Sequence, residues 1–258
     1  MPSKGDKLIF VHVTRILFAK VMWLLLFLLI SSTSLPAQSN SVRIRTQYMN
    51  WTGFQIKYKY GHWSGSAEIQ NRIFLDPLRQ DALLIPRINI LRKMNSRIST
   101  GGGMAFFLHG SPSVPDEAIR FWNAEFRPHI ELHYKPDIHH IEIAARLRLE
   151  GRIIQRQEIN TGQRYYSMTE RGRIRIWFGM PLNQKIRFIV SEEFFAKHSP
   201  GDFIEAEENR LRTGFDLKLS KGSEVSIEYM HVYRNFIDNN PIQRHTLVLD
   251  YSLHVSPK

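Results

Sequence analysis

The stretch HGSPSVPDE, His109 to Glu117, sets a histidine and a serine two residues apart and follows them with two carboxylates, Asp116 and Glu117. An acyl hydrolase uses such groups: the imidazole takes the proton of the serine hydroxyl and an acid orients the imidazole. The same stretch is rich in turn formers, and an external loop is the stronger reading. His198 and Ser199 in AKHSPGD read the same way. His129, Glu131 and His133 share one parity and have the side chains of metal ligands. On a strand the two histidines stand about 13 Å apart, too far to share an ion bound at about 2 Å by each. Gly101 to Gly103 precede Met104, Ala105 and Phe106, where a phosphate-binding loop would need Lys and Ser or Thr. Glycines there allow bending or close packing of a strand instead. No catalytic residue, metal or cofactor is assigned.

What remains is charge, and its spacing is informative. In HIEIAARLRLEGRII, His140 to Ile154, one parity carries Glu142, Arg146, Arg148, Glu150 and Arg152, and the other carries Ile141, Ile143, Ala145, Leu147, Leu149 and Ile153. At helical pitch the apolar stripe from Ile141 would run into Arg148 and Arg152; at period two it is unbroken, so the segment is a strand. The pattern recurs in Glu68, Gln70 and Arg72, and again in Glu224, Ser226 and Glu228. Either these ions face water around a dry core, or they line a barrel whose outside is apolar. Under the second reading the candidate lumenal network is Glu125, Arg127, Glu131, Glu142, Arg146, Arg148, Glu150, Arg152, Arg171, Arg173, Arg175, Glu208, Arg210, Arg212 and Glu228.

The elements that would hold this network are long strands. Runs at 42–50, 53–60, 63–75, 81–94, 97–108, 119–134, 139–154, 164–180, 185–197, 204–219, 223–235 and 243–256 predict about twelve, with ten also allowed. Most exceed the five or six residues usual in soluble sheets and suit a tilted membrane span. Tight connections at Gly61-His62, Asn95-Ser96, Lys135 to Ile138, Asn183-Gln184 and Lys221-Gly222 alternate with longer ones near 109–118, 155–163, 198–203 and 236–242, the asymmetry of outer-membrane barrels. An even strand count requires a turn near Asn50 to Thr52. Aromatics such as Trp51, Tyr60, Trp63, Trp122, Tyr134, Tyr165 and Tyr233 fall near run ends, where an interfacial belt would put them. Pro86 and Pro128 interrupt runs and predict bulges or positions outside the membrane.

Lys4, Lys7, Arg15 and Lys20 precede the apolar run VMWLLLFLLI and then SSTSLPAQ, which predicts a secretory signal peptide over 1–37 and one barrel domain over 38–258. The formal charge is +11 over 258 residues. Its basic residues are interleaved singly with apolar ones, which argues against nucleic acid and for anionic lipid or lumenal ion pairing. There is no cysteine, so disulfides, thiolate metal sites and cysteine nucleophiles are excluded.

The succession HWSGSAEIQNRIF, IPRINILRKM, NAEFRPHIELHY, HIEIAARLRLEGRI, RGRIRIWFGMPL, SEEFF, EENRLRTGFDLKL, EYMHVYRN and HTLVLDYSL resembles the bacterial family called domain of unknown function 2490. The resemblance spans essentially the whole chain after residue 37. It implies a signal peptide and an outer-membrane barrel, and it carries no activity or catalytic residues. The fold expected is therefore all-β, a single transmembrane antiparallel up-and-down barrel in the outer membrane of a Gram-negative bacterium. Its expected partners are outer-membrane lipids and the barrel assembly machinery, with no nucleic acid and no identified solute. The expected role is structural or narrowly pore-like. The alternatives are an outer-membrane lipid hydrolase and a soluble periplasmic binding barrel.

Overall fold

The two-residue alternation closes on itself. In the computed structural model, which describes residues 44–258 apart from 113–114, 139–140, 159–160, 199–202, 221, 235–240 and 257–258, eleven strands form a closed barrel. The segment expected as a signal peptide lies outside the described residues. The strands are β1 Arg45–Tyr60, β2 Trp63–Leu75, β3 Leu78–Lys93, β4 Ile98–Ser111, β5 Phe121–Tyr134, β6 Glu142–Gln157, β7 Arg164–Pro181, β8 Ile186–His198, β9 Glu205–Ser220, β10 Ser223–Arg234 and β11 Ile242–Val255.

Two features of the expected topology are corrected. The runs 42–50 and 53–60 are one strand, because residues from Met49 to Tyr60 pair without a break to β2 and Asn50 to Thr52 make no turn. Eleven strands bring β1 and β11 together in parallel, from Arg45 opposite Ile242 to Tyr58 opposite Val255. Every other neighbouring pair is antiparallel.

One mouth of the barrel gathers the connections 61–62, 94–97, 182–185 and 221–222; the other gathers 112–120, 158–163, 199–204 and 235–241. The length asymmetry holds with two exceptions. The connection 76–77 is short on the long-loop side, and 135–141 is longer than the tight turn expected there. At the short-turn mouth, Arg97 Nε donates to Asp137 Oδ2 at 3.0 Å and links two neighbouring connections.

Register puts the two parities where the alternation predicts. Across the wall, His133, Arg146, Arg175, Glu193 and Arg210 are successive partners on five strands and all face the lumen. One residue along, Leu132, Leu147, Ile174 and Phe194 are partners facing out. The exterior is apolar over most strands: Ile130 is 64% exposed and Leu149 50%, while Glu125 is 1% exposed. Each such side chain left in water would forgo about 1.5–3 kcal/mol of burial, and a continuous surface of this kind exceeds what soluble monomers expose. Charges interrupt the exterior row, among them Glu170 on β7, which has His198 at 3.5 Å. Glu192 is exposed on β8 and accepts a bond from Asn209 Nδ2 at 3.0 Å.

Bulges explain where alternation slips. Ile85 and Pro86 stand opposite the single residue Ile69 on β2 and the single residue Phe106 on β4, so Pro86 occupies a bulge and removes no ladder bond. Pro128 has a different setting. It pairs in register with Met104 on one side and lies at a gap in the β5–β6 ladder on the other.

Candidate functional site

The densest part of the lumen is built from the charged parity of β5 to β10, and its carboxylates are shared. On β5, Glu125 accepts from Arg127 Nε at 2.7 Å and Arg152 Nε at 2.5 Å, and lies 2.9 Å from His109 Nε2. Glu131 takes Arg148 at 2.7 Å and lies 3.4 Å from His133 Nε2. From β6, Glu150 accepts from Arg171 Nη2 at 2.5 Å and Arg173 Nη1 at 2.6 Å. On β8, Glu193 receives Arg146 at 2.7 Å and Arg173 at 2.8 Å. Arg210 pairs with Glu208, and Arg212 has Glu228 at 3.9 Å. Glu142 sits at the rim, 3.3 Å from Arg187 and 3.4 Å from Lys135. The fifteen side chains expected in the lumen lie on the inward parity of β5 to β10, with Glu142 at the rim, and Arg175 binds Ser191 Oγ at 3.0 Å rather than a carboxylate.

Buried ions are retained at low cost only when each is paired and hydrogen-bonded, and forked Arg–carboxylate bonds do this best. The sharing above achieves it with fewer acids than bases. Aromatic faces supply the rest. Trp51 on β1, Phe107 on β4 and Phe195 on β8 project inward at one level and are clasped by guanidinium groups. Arg72 lies 3.9 Å from the centroid of Trp51, Arg127 3.9 Å from Phe107, and Arg210 and Arg173 4.4 and 4.6 Å from Phe195. Each such contact contributes about 0.5–2 kcal/mol when desolvated. Towards the long-loop mouth this layer continues into a packed group of Met49, Phe74, Met230, Val232 and Val248.

On the other side of the layer the lumen is open. A cavity of about 690 Å³ runs from the short-turn mouth, past Lys57, Lys59 and His254, to Trp51, Arg72, Arg173 and Arg210. Its walls carry eleven Lys and Arg side chains against eight Asp and Glu.

The other sequence candidates take structural places. His109 is lumenal, stacked on Phe107 with ring centroids 5.5 Å apart and bound to Glu125, so it does not face the exterior where a lipid would meet it. Asp116 binds Arg45 at 2.7 Å. His129 Nε2 lies 2.5 Å from Asn89 Oδ1 and His133 lies beside Glu131, so the two imidazoles serve different partners. His198 Nδ1 lies 3.5 Å from Glu170, and Ser199 falls outside the described residues.

Sequence reasoning missed Glu193, Glu207 and the three rings. Glu193 adjoins Glu192 in SEEFF, and nothing in two adjacent acids says which turns in. Glu207 and Glu208 are both buried because β9 bulges: Phe195 pairs with Glu208 and Ala196 with Ala206, leaving Glu207 unpaired between them. Glu207 then reaches Arg152 at 3.2 Å and Arg234 at 3.3 Å. Phe195 shares its inward parity with Ser191, Glu193 and Lys197, a legible signal. Phe107 between Ala105 and His109 and Trp51 between Met49 and Gly53 carry no such mark, and Trp51 is lumenal rather than in the interfacial belt expected of it.

Fold and lumen define a closed, charge-lined β-barrel with one mouth open to a cavity. Residues 48–243 match the family model described as "Protein of unknown function (DUF2490)", and the chain belongs to that family. Among curated proteins the sequence finds no match. Solved structures with similarity include "NanC porin structure in rhombohedral crystal form", 10% identical over 75% of this chain and 92% of that one with a TM-score of 0.43. Another is "Outer-membrane expressed OmpT of Vibrio cholerae", 11% identical over 67% of this chain and 55% of that one with a TM-score of 0.38. Neither likeness bears on the reading of the lumen.

Proposed function

We propose that the chain is an outer-membrane barrel whose lumen is shut across its middle, a structural wall element with a cup that opens at the short-turn mouth. The observation that carries this is the layer of Trp51, Phe107 and Phe195 clasped by Arg72, Arg127, Arg173 and Arg210. Rings and guanidinium groups from seven strands meet there, and the carboxylates of Glu125, Glu150 and Glu193, each at most 5% exposed, fill the gaps between them. The apolar exterior supports a lipid surround, since a closed barrel has no open edge and pairs most of its backbone polar groups within the wall. Short turns on the periplasmic side then put the mouth of the cup in the periplasm.

The test is conductance. Folded protein, verified by protease resistance and by its shift on heating in gels, is inserted into planar bilayers in 1 M KCl. Silence at all voltages is the expected result. Steady anion-selective currents that reverse towards cation selectivity in Arg173→Glu with Arg175→Glu would overturn closure and favour a narrow pore, the reading to which the basic excess of the cup lends weight. Membrane fractionation tests location: recovery in the aqueous periplasmic fraction would favour the soluble barrel instead. A lipid hydrolase finds no support in the inward setting of His109.

A further inference from the structure

The cup contains two cations with no carboxylate at hydrogen-bond distance among the described residues, although Glu228 and Asp250 line the same cavity. Arg175 on β7 and Arg212 on β9 flank Ser191 on β8, whose backbone pairs directly with Trp177 and with Arg212. Arg175 Nη2 donates at 3.0 Å to Oγ of Ser191, the residue that pairs with Arg212 across the wall. Neither has a carboxylate within hydrogen-bond reach among the described residues. The nearest acid to Arg212 is Glu228, at 3.9 Å. Glu193, the acid beside Arg175 in register, is already taken on one oxygen by Arg146 and Arg173. The Nε atoms of Arg175, Arg212 and the neighbouring Arg146 are all buried and have no hydrogen-bond partner. These residues line the wall of the cavity that opens at the short-turn mouth.

Every other arginine lining the cup reaches an acid or a ring, so this gap is specific. Leaving two guanidinium groups buried with no carboxylate at hydrogen-bond distance is costly, and the cost is recovered if an anion enters from solution. A forked donor binds planar or tetrahedral oxyanions through paired N–H groups, a fit that a halide cannot exploit. Trp177 and His133 stand beside the site in edge-to-face contact, with centroids 6.4 Å apart, and line the same cavity, offering an apolar wall for the body of a small organic acid.

We infer that Arg175 and Arg212, with Arg146 at their side, form a binding site for a small soluble oxyanion, a carboxylate or a phosphate, entering by the short-turn mouth. The site rests on the closed-cup reading and deepens it by giving the cup a ligand class. A lipid headgroup is disfavoured as the source because the arginines face the lumen and not the exterior.

Isothermal titration of the full chain in detergent micelles, with inorganic phosphate and separately with citrate as probes at low ionic strength, tests this. Saturable binding of at least one probe is expected, with affinity reduced at least about tenfold in Arg175→Gln with Arg212→Gln, the loss that one forked pair represents. Arg175→Lys, which keeps the charge and removes the fork, should fall between, and Arg92→Gln on the outer rim should leave binding unchanged. Should the double variant fold poorly, the bound probe should raise the thermal midpoint of the parent protein and not that of Arg175→Lys to the same extent. Absence of saturable binding by either probe, or binding that every arginine variant leaves intact, would overturn the site. Conductance in bilayers decides closure separately, so a leaky barrel that binds phosphate and a silent barrel that does not are distinguishable results.

Discussion

The guanidinium of Arg127 stands 3.9 Å from the ring centroid of Phe107 while its Nε donates to Glu125 at 2.7 Å, so one side chain ties an aromatic face of β4 to a carboxylate of its own strand. Phe107 is 1% exposed. Removing the ring should cost about 3–5 kcal/mol of stability and vacate a volume that water can enter. Phe107→Ala combined with Trp51→Ala is expected to convert a silent barrel into one that passes current, read in the same planar bilayers. Continued silence from folded double variant would mean that the ion pairs alone close the lumen.

Glu125 holds Arg127, Arg152 and His109 together. Glu125→Leu leaves two buried guanidinium groups short of their acid, and breaking buried pairs from one side costs about 3–5 kcal/mol. The urea midpoint of refolding into micelles should fall accordingly, and much further than for Glu117→Leu, whose ion pair with Arg120 is exposed and 3.6 Å long. Equal midpoints would show that water reaches the Glu125 cluster and screens it.

Neighbouring residues on β6 should respond in opposite ways to charge. Leu147 is 43% exposed on the outer face between Leu132 and Ile174, whereas Arg148 is 2% exposed against Glu131. Leu147→Arg places an ion in hydrocarbon at about 2–4 kcal/mol. Arg148→Lys is milder, because it keeps a positive charge against Glu131 while Glu150 keeps Arg171 and Arg173. Folding yield into lipid vesicles should drop sharply for the first variant and modestly for the second. The reverse order would put the lipid on the other face.

Two glycines allow a paired test of strand packing. A Cβ on Gly103 of β4 would collide with the Ile88 carbonyl oxygen on β3, a backbone atom that cannot give way, whereas on Gly65 of β2 it would meet nothing nearer than the Asn89 oxygen at 3.6 Å. Gly103→Ala should therefore reduce the assembled fraction several-fold and Gly65→Ala should leave it near that of the parent, as measured by the heat-shifted band in gels. Tolerance of both would place slack in β3 that the packing does not show.

Period-two alternation is a local consequence of strand geometry, which is why residues such as Arg148 and Leu149 could be sorted into inside and outside from spacing alone. Loop asymmetry was legible for the same reason, since turn formers mark the ends of alternation. Strand count was less so. Asn50 and Thr52 have the composition of a turn, and only the pairing of β1 with β2 and β11 decides that the chain runs straight through them. Bulges were illegible because they arise from two strands at once: nothing in EAEENR announces that Glu207 and Glu208 both turn inward. The inward parity of Arg175 and Arg212 could be read from spacing. That Arg175 binds no acid depends on which arginines claim Glu193, a competition among strands β6, β7 and β8.

The parallel seam has a consequence for how this chain can be rearranged. Because Arg45 and Ile242 meet at one mouth and Tyr58 and Val255 at the other, the start of β1 and the end of β11 lie a full wall height apart. In a barrel closed by an antiparallel pair a two-residue turn could join the first and last strands, and new ends could then be cut at any loop. Here such a splice would have to run the length of β11, roughly 45 Å of extended chain. Circular permutation with short joints is thereby closed to this fold, and copying hairpins whole could never by itself have produced its odd strand.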